Sequence, residues 1–115
     1  MLTLKEMMVL VRGELLTPGL DIETGCSKVF ASDLMSDVLA FSEEGSLLIT
    51  GLVNSHVVRT ACLVDALAVI VVQGKRPIGA VVDEAAAKKL PIIATGCSMF
   101  ETCSRIAQYL SDGMR

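Results

Sequence analysis

The stretch Ala66–Val72, which reads ALAVIVV, is the longest uninterrupted apolar run in this chain of 115 residues. It is far shorter than the roughly 20 apolar residues that a helix needs to span a bilayer. A run this short and this apolar is typical of a strand that is buried on both faces, as in parallel sheets. We therefore interpret Ala66–Val72 as the central strand of a sheet, and we expect no membrane association.

Other segments on both sides of this run also predict strands, with predicted helices between them. These strands are expected at Lys28–Ala31, Ser46–Thr50 and Pro91–Thr95, with a short additional one at Glu14–Thr17. Alternating strands and helices indicate βαβ units, whose crossovers join parallel strands. The sequence therefore predicts an α/β fold: a single three-layer domain over residues 1–115, with a mostly parallel β-sheet of four to five strands flanked by helices.

The first and last helices have recognisable starts. Thr3–Glu6 and Ser98–Glu101 are capping boxes, in which a hydroxyl and a carboxylate accept hydrogen bonds from free backbone N–H groups. We expect Gly13 to end the first helix. Helical spacing predicts the inward-facing side chains: Leu4, Met7, Met8 and Val11 in the first helix, and Phe100, Cys103, Ala107 and Leu110 in the last.

The composition limits the classes of partner. The net charge is −3, with basic and acidic residues interspersed, whereas nucleic-acid-binding proteins carry a concentrated basic patch. We therefore expect no nucleic-acid partner. Because no secretory signal is evident at the N-terminus, we expect a cytoplasmic protein. Hydrophobic residues make up 52% of this short chain, which favours an apolar surface patch covered by a second copy or by another protein.

The four cysteines form no CxxC pair, which argues against a zinc ribbon or a thioredoxin-type redox site. Cys62 and Cys103 lie on apolar helical stripes, and we interpret them as small core residues. Cys26 and Cys97 fall in predicted loops. A cluster site built from these two and a third ligand remains an alternative, although the sequence has no recognised iron–sulfur spacing. We predict no metal site.

Polar or conformationally permissive residues follow each predicted parallel strand. In open α/β sheets, ligands bind outside the carboxyl ends of the strands. The residues at these ends are Ser32, Asp33, Thr50, Gly51, Gly74, Lys75, Thr95 and Gly96. The same residue types serve as turns and helix caps, and Ser32 or Asp33 is expected to cap the second helix. Their shared edge predicts a shallow ligand site, where Lys75 and Arg76 either support an anion or are simply solvated.

The sequence shows no recognisable set of catalytic residues. The GxxxxGK[ST], GxGxxG, HExxH and GxSxG motifs do not occur. His56 is the only histidine, and Arg59 lies three residues further along the same helical face, so the pair suits an anion or a partner better than a catalytic base. We therefore predict no catalytic residue and no cofactor, and we add His56 and Arg59 to the candidate ligand-binding residues.

Four segments, in this order, resemble a known family. Asp21–Cys26 (DIETGC) and Ala31–Leu39 (ASDLMSDVL) resemble the opening of the DRTGG domain. Gly45–Thr50 (GSLLIT) and Gly74–Pro77 (GKRP) are similar to its middle. The resemblance covers nearly the whole chain and includes the leading helix. It implies a compact α/β domain like the N-terminal domain of HPr kinase/phosphorylase, whose kinase chemistry belongs to a separate P-loop domain.

The name-giving motif is matched by Asp21, Thr24 and Gly25. Ile22 stands where the family has Arg, and Cys26 replaces the second Gly. The family also occurs beside CBS domains in some pyrophosphatases and in phosphotransacetylases. The resemblance implies a regulatory domain without a reaction of its own, which forms a homodimer.

Together these observations predict a non-catalytic regulatory or ligand-sensing domain. Its ligand would be a nucleotide or another small anion at the carboxyl edge of the sheet, or it would dock to a partner enzyme. One alternative is a protein-interaction module with no small ligand. Another is a small hydrolase or transferase that uses His56 or a loop cysteine.

Overall fold

The computed structural model describes residues 1–110 as seven strands and five helices. In chain order these are β1 (Leu2–Thr3), α1 (Leu4–Leu10), β2 (Glu14–Leu15), β3 (Gly25–Cys26), β4 (Val29–Ala31), α2 (Met35–Phe41), β5 (Leu47–Thr50), α3 (Ser55–Leu63), β6 (Ala68–Val71), α4 (Gly79–Ala87), β7 (Ile92–Ala94) and α5 (Met99–Leu110). Within this part of the chain, no helix is long and apolar enough to cross a membrane.

The predicted central strand is confirmed. The main sheet has five strands in the order β2-β7-β6-β5-β4, so β6 has two strands on each side. Strands β4 to β7 are parallel, as the βαβ pattern predicts. Strand β2 pairs with β7 in the antiparallel direction and places Glu14 opposite Ala94. A separate two-stranded ribbon joins β1 to β3.

Three layers form because successive side chains of each strand point to opposite faces of the sheet. Ile70 packs with α1 and α5 in one core cluster, whereas Val69 packs with α2, α3 and α4 in the other. Both side chains are fully buried. The predicted α/β class, with helices on both faces of a mostly parallel sheet, is therefore confirmed.

Helix α1 begins as predicted but ends differently. The Thr3 N–H donates to Glu6 Oε1 at 2.9 Å, and the Glu6 N–H donates to Thr3 Oγ1 at 3.1 Å, which confirms the capping box. At the other end Arg12, not Gly13, adopts the left-handed conformation, with φ +54°. Gly13 serves close packing instead, because a Cβ there would lie 2.7 Å from Cγ2 of Ile93.

The predicted inner face of α5 was correct at Leu110, which is buried, and in part at Cys103, which is half-buried against the core, but it was wrong at Phe100 and Ala107. Phe100 is 83% exposed and Ala107 is also exposed, so neither faces the core. The buried side chains of α5 are Thr102, Ile106 and Leu110, which recur every four residues. The stripe centred on Ile106 faces the sheet, and not the one that runs through Phe100 and Ala107.

The caps of the other helices also differ from expectation in detail. Ser98 Oγ accepts the Glu101 N–H at 3.1 Å, but the Glu101 carboxylate binds Arg105 at 3.0 Å, so only half of the second capping box forms. Arg105 pulls that carboxylate away because the two residues are one turn apart on α5. Helix α2 has no side-chain cap, and neither Ser32 nor Asp33 occupies its N-cap position.

The cysteines reverse the expected order of burial. Cys26 and Cys97, which were assigned to loops, are only 2% and 9% exposed. Cys62 and Cys103 are half-buried and pack at the margins of the two core clusters. Cys26 belongs to strand β3 and packs in the core cluster with α1, and the Cys97 thiol lies against the Val11 carbonyl at the end of α1, which explains the difference.

Candidate functional site

The carboxyl edge of the sheet is formed by the ends of four parallel strands and the start of one antiparallel strand. Register places Thr50 beside Val71 and Val71 beside Ala94, so the parallel strands end nearly level. Because β2 runs the other way, its first residue, Glu14, reaches the same edge. The C-terminal end of α1 and its Arg12 lie just before this strand. The predicted residues separate into two groups along this edge.

The first group, which we call the Asp33 side, consists of Ser32, Asp33, Thr50, Gly51 and Lys75. Asp33 Oδ1 accepts hydrogen bonds from the Thr50 hydroxyl at 3.0 Å and from the Gly51 N–H at 2.6 Å. Asp33 therefore links the end of β4 to the end of β5 instead of capping α2. Ser32 Oγ accepts the Leu34 N–H at 3.0 Å in a local turn.

Lys75 reaches the Asp33 side from the central strand. A Cβ placed on Gly51 would lie 3.5 Å from both carboxylate oxygens of Asp33 and 3.7 Å from Lys75 Nζ. The ammonium and the carboxylate thus converge over Gly51. Within residues 1–110, however, Lys75 forms no ion pair shorter than 4.0 Å.

A tight turn after β6 precedes Lys75 and Arg76 and sets the direction of the chain at these two residues. Gln73 and Gly74 both have left-handed backbones, with φ +68° and +71°. Their N–H groups donate to the carbonyls of Cys97 at 2.8 Å and Thr95 at 2.9 Å, which fastens the turn to the loop after β7. The turn continues into Lys75 and Arg76, which serve opposite halves of the edge.

The second group, which we call the arginine cleft, is a depression of about 140 Å³ lined by Arg12, Glu14, Gly74, Arg76, Ala94, Thr95 and Gly96. Arg76 Nη2 hydrogen-bonds to Glu14 Oε1. Both side chains remain more than half exposed, at 54% and 63%. Arg12 takes part in none of the ion pairs found among the described residues. The cleft therefore holds two guanidinium groups and one carboxylate.

The threonine hydroxyls at the strand ends are already occupied. Thr95 Oγ1 donates to the Val11 carbonyl at 2.6 Å and accepts the Cys97 N–H at 3.1 Å. Thr50 Oγ1 donates to Asp33 and accepts the Leu52 N–H at 3.2 Å. Both side chains are buried. These hydroxyls stabilise the edge, and a ligand would have to rely on the cations and the backbone.

His56 and Arg59 lie apart from both groups in their hydrogen bonding. Both are exposed on α3. Arg59 Nη2 donates to Ser55 Oγ at 3.2 Å, one turn back on the same helix. In the described part of the chain, no hydrogen bond or ion pair connects either residue to the Asp33 side or to the arginine cleft.

The loop that carries the name-giving motif closes on itself. Asp21 Oδ1 accepts the Glu23 N–H at 2.8 Å, and Oδ2 accepts the Thr24 hydroxyl at 3.1 Å. Gly25 continues into β3, where a Cβ would lie 2.5 Å from the sulfur of Met1. The motif carboxylate is therefore used to shape its own loop.

The same loop also caps helix α1. The carbonyls of Ile22 and Thr24 accept the N–H groups of Lys5 at 2.9 Å and Leu4 at 3.1 Å. The first free donors of a helix are an attractive anion site only when nothing else binds them. Here the loop and the capping box use them, so the motif has a structural role.

The thiols of Cys26 and Cys97 form hydrogen bonds to backbone carbonyls. Cys26 Sγ donates to the Lys28 carbonyl at 3.1 Å, and Cys97 Sγ donates to the Val11 carbonyl at 3.4 Å. Burial raises the pKa of the Cys26 thiol, which keeps it protonated. Among residues 1–110, no group of three or more His, Cys, Asp or Glu side chains is placed to hold a metal ion. The cluster alternative for Cys26 and Cys97 therefore has no set of ligands.

Sequence reasoning missed Arg12 and Glu14. Both belong to the edge only because β2 is antiparallel, and a two-residue strand carries no signal of its direction. The order of elements could have indicated their place. Helix α1 ends at the carboxyl edge of the sheet, so the short strand that follows it must begin at that edge.

Comparison with known proteins identifies a family and a similar fold. The family described as "DRTGG domain" matches residues 6–109. A solved structure of similar fold is the crystal structure of the CBS and DRTGG domains of the regulatory region of Clostridium perfringens pyrophosphatase, complexed with its activator, diadenosine tetraphosphate. The TM-score is 0.75 at 18% sequence identity. The match covers 92% of this chain but only 46% of that one. No curated protein sequence matches significantly.

Proposed function

The chain belongs to the DRTGG domain family, and we propose that it is a non-catalytic, cytoplasmic regulatory domain that senses a small anionic ligand of the nucleotide class at the carboxyl edge of its sheet. The arginine cleft is the observation that carries this proposal. A chain with a net charge of −3 places two guanidinium groups together there, and only one carboxylate faces them. Anionic ligands are recognised by such groups.

Two further points support the nucleotide class. The regulatory region of the Clostridium perfringens pyrophosphatase is complexed with a nucleotide activator, although 18% identity extends only the fold to this chain. The carboxyl edge of a parallel sheet is also where α/β domains bind nucleotides. We propose no reaction, because among residues 1–110 no hydrogen bond or ion pair joins His56 to a carboxylate or to the edge.

The proposal is tested by the thermal midpoint of the full chain in the presence of nucleotides. A ligand at 100 times its Kd adds about 2.7 kcal/mol, and for a domain of this size 1 kcal/mol corresponds to a rise of roughly 4–8 °C. Nucleoside mono-, di- and triphosphates are compared with the uncharged nucleosides. We expect a rise with at least one phosphorylated compound and none with its nucleoside. Unchanged midpoints with every nucleotide would overturn the proposal.

The second candidate function is a homodimeric interaction module without a small ligand. An apolar groove of about 410 Å³ between α1 and α5 favours it, lined by Leu2, Lys5, Glu6, Val9, Leu10 and Tyr109. Val9 is 69% exposed and Tyr109 is 59% exposed, and both lie in this one groove together with Leu2 and Leu10, so they form a contiguous apolar patch. A second copy of the chain would bury them.

Sedimentation over the micromolar concentration range tests the dimer. Val9→Glu should produce a monomer, whereas Leu63→Glu should leave the assembly unchanged. Leu63 is 74% exposed on α3, on the other face of the sheet, and serves as the matched control. A wild-type chain that is monomeric at all these concentrations would contradict this candidate.

A further inference from the structure

We propose that the arginine cleft is a subsite for the terminal phosphoryl groups of the sensed ligand, and that Glu14 occupies Arg76 in the free protein and is displaced when the ligand binds. This inference rests on the proposed function, since it names where the anionic end of the ligand lies and what competes with it.

The charges of the cleft suit a phosphate. Arg12 has no carboxylate partner in the described part of the chain, and Arg76 has only Glu14. A guanidinium group presents several N–H donors in a planar fork, which matches two phosphate oxygens at once. Two such groups at the mouth of one cleft can share a phosphate dianion or a diphosphate.

The size of the cleft indicates how much of a ligand can enter. Its volume of about 140 Å³ is below the roughly 300–1,000 Å³ of pockets that enclose a complete small ligand. One or two phosphoryl groups fit this space, whereas a base and a ribose remain outside. The turn after β6 leads from the cleft to Lys75, whose ammonium group lies near Gly51 on the neighbouring half of the edge.

The backbone holds Arg12 in place at a cost. A helix commonly ends on a glycine where the left-handed conformation is needed, yet Arg12 adopts φ +54° there. The residues on both sides are fixed, because the Val11 carbonyl accepts the Thr95 hydroxyl at 2.6 Å and the Gly13 N–H donates to the Met8 carbonyl at 2.8 Å. Asp65 and Lys89 have the same backbone after α3 and α4, so this conformation fixes where the Arg12 side chain starts and is not by itself a sign of a ligand site.

Glu14 acts as an internal competitor. Its ion pair with Arg76 is exposed, and exposed pairs contribute little to stability. A phosphate can therefore take over Arg76 without unfolding any element. The carboxylate that it displaces also repels the incoming anion. Removing the charge of Glu14 should for both reasons tighten the binding of phosphate, whereas removing the charge of Arg12 should weaken it.

The test is calorimetric titration of the full chain with inorganic diphosphate at fixed ionic strength. The loss of one charge-assisted hydrogen bond between protein and ligand weakens binding about ten-fold or more. We expect Arg12→Gln and Arg12→Gly to weaken binding by about that factor and Glu14→Gln to tighten it several-fold. Lys88→Gln is the matched control, because Lys88 follows α4 at the opposite edge of the sheet. The affinity of this variant for diphosphate should equal that of the wild type. Equal affinities of the wild type and both Arg12 variants, or a weaker Glu14→Gln variant, would overturn the inference.

Two variants at one position guard against misfolding. Gly is compatible with the backbone of Arg12, so Arg12→Gly should fold even if Arg12→Gln does not. Far-ultraviolet circular dichroism checks the fold of each variant before titration. Loss of binding in a folded Arg12→Gly variant supports the inference.

Parallel titrations with a nucleoside diphosphate separate this inference from the proposed function. If the nucleotide binds equally well to the wild type and to Arg12→Gly, the subsite is wrong and the sensing function stands. If inorganic diphosphate binds through Arg12 and the nucleoside adds no affinity, the subsite stands and the nucleotide class is wrong. Binding of neither compound would overturn both.

Discussion

The two halves of the carboxyl edge use similar residues for different purposes. On the Asp33 side, the carboxylate accepts the Thr50 hydroxyl and the Gly51 N–H, so its hydrogen-bonding capacity is used to join two strands. In the arginine cleft, Arg12 has no ion-pair partner in the described chain and Arg76 has an exposed one. Polar residues at a strand end are therefore not equivalent, because a carboxylate that joins two strands is less available to a ligand than a cation without an ion pair. Lys75 on the Asp33 side is also such a cation among the described residues, but only the cleft brings two guanidinium groups together.

This difference arises from the strands that form each half. Strands β4 and β5 are parallel neighbours, and their ends approach closely enough for one carboxylate to bridge them. The cleft lies between β7 and the antiparallel strand β2, which brings residues from the end of α1 to the edge. Substitutions on the two halves should separate stability from binding.

Gly13→Ala should have the largest effect, because it damages the support of the cleft itself. The new Cβ would lie 2.7 Å from Cγ2 of Ile93, which is completely buried. Overpacking of this kind costs about 1–3 kcal/mol, and diphosphate binding should weaken as Arg12 moves. Urea unfolding measures the loss. Gly79→Ala is the control, since nothing lies within 4 Å of a Cβ there. Equal stabilities of the two variants would contradict the close packing of Gly13.

Asp33→Ala should lower stability while leaving the binding of diphosphate intact. The Gly51 N–H loses its acceptor, and the buried Thr50 hydroxyl loses one partner. An unsatisfied group costs about 1–3 kcal/mol, and we expect about 1–2 kcal/mol because water can reach the partly exposed carboxylate position. Asp83→Ala, an exposed change on α4, is the control. If Asp33→Ala is stable but does not bind diphosphate, the Asp33 side is the ligand site and the comparison is wrong.

Arg12→Gly should raise stability slightly although it weakens binding. A left-handed backbone at a residue other than glycine costs about 1–2 kcal/mol, which the substitution removes. Glycine is more flexible in the unfolded chain, and this lowers the stability of the folded variant by about 0.5–1 kcal/mol. A gain of up to about 1.5 kcal/mol remains. Lys89→Gly is the matched control, with φ +58° and a position just before β7, away from the cleft. Its stability should rise similarly with no change in binding. A loss of stability in Arg12→Gly alone would mean that the guanidinium holds the fold together.

The smallest effect concerns an exposed pair outside the cleft. The Arg105 guanidinium holds the pKa of Glu101 below its ordinary value. A lowered pKa in the folded state means that the stabilising contribution is present above the ordinary pKa of glutamate, about 4.3, and is lost as the pH falls through the lower folded value. The difference in thermal midpoint between the wild type and Glu101→Gln should therefore disappear in acid. A difference that persists or grows there would contradict the pairing.

This pair also serves as a reference for Glu14 and Arg76. It joins a glutamate and an arginine on α5, and neither residue lines the arginine cleft. Diphosphate should therefore not alter the pH dependence of the difference in thermal midpoint between the wild type and Glu101→Gln. A change in that dependence would indicate general binding of anions to exposed arginines.

The fold was largely predictable, for reasons visible in individual elements. Ala66–Val72 carries enough apolar residues to define the central strand, and the capping box at Thr3 and Glu6 is a local motif whose partners lie within one turn. The inner face of α5 was not predictable in the same way, because the exposed Phe100 and the buried Thr102 both run against residue type.

The candidate site was predictable only in part. The rule for parallel strands located the carboxyl edge and selected Lys75, Thr95 and Gly96. It could not distinguish Asp33 and Thr95, whose side chains form internal hydrogen bonds, from residues that remain available, because those bonds depend on partners distant in sequence. Arg12 was missed because its place depends on the direction of β2.

The central claim is that the anion lies in the arginine cleft and not elsewhere along the edge. Titration of the ¹⁵N-labelled full chain with inorganic diphosphate, followed by amide chemical shifts, tests it most directly. The account predicts saturable shifts at Arg12, Gly74 and Gly96, with the amides of Glu23 and His56 unchanged. Shifts confined to the region of His56, or no saturable shift at Arg12 and Gly96, would contradict it.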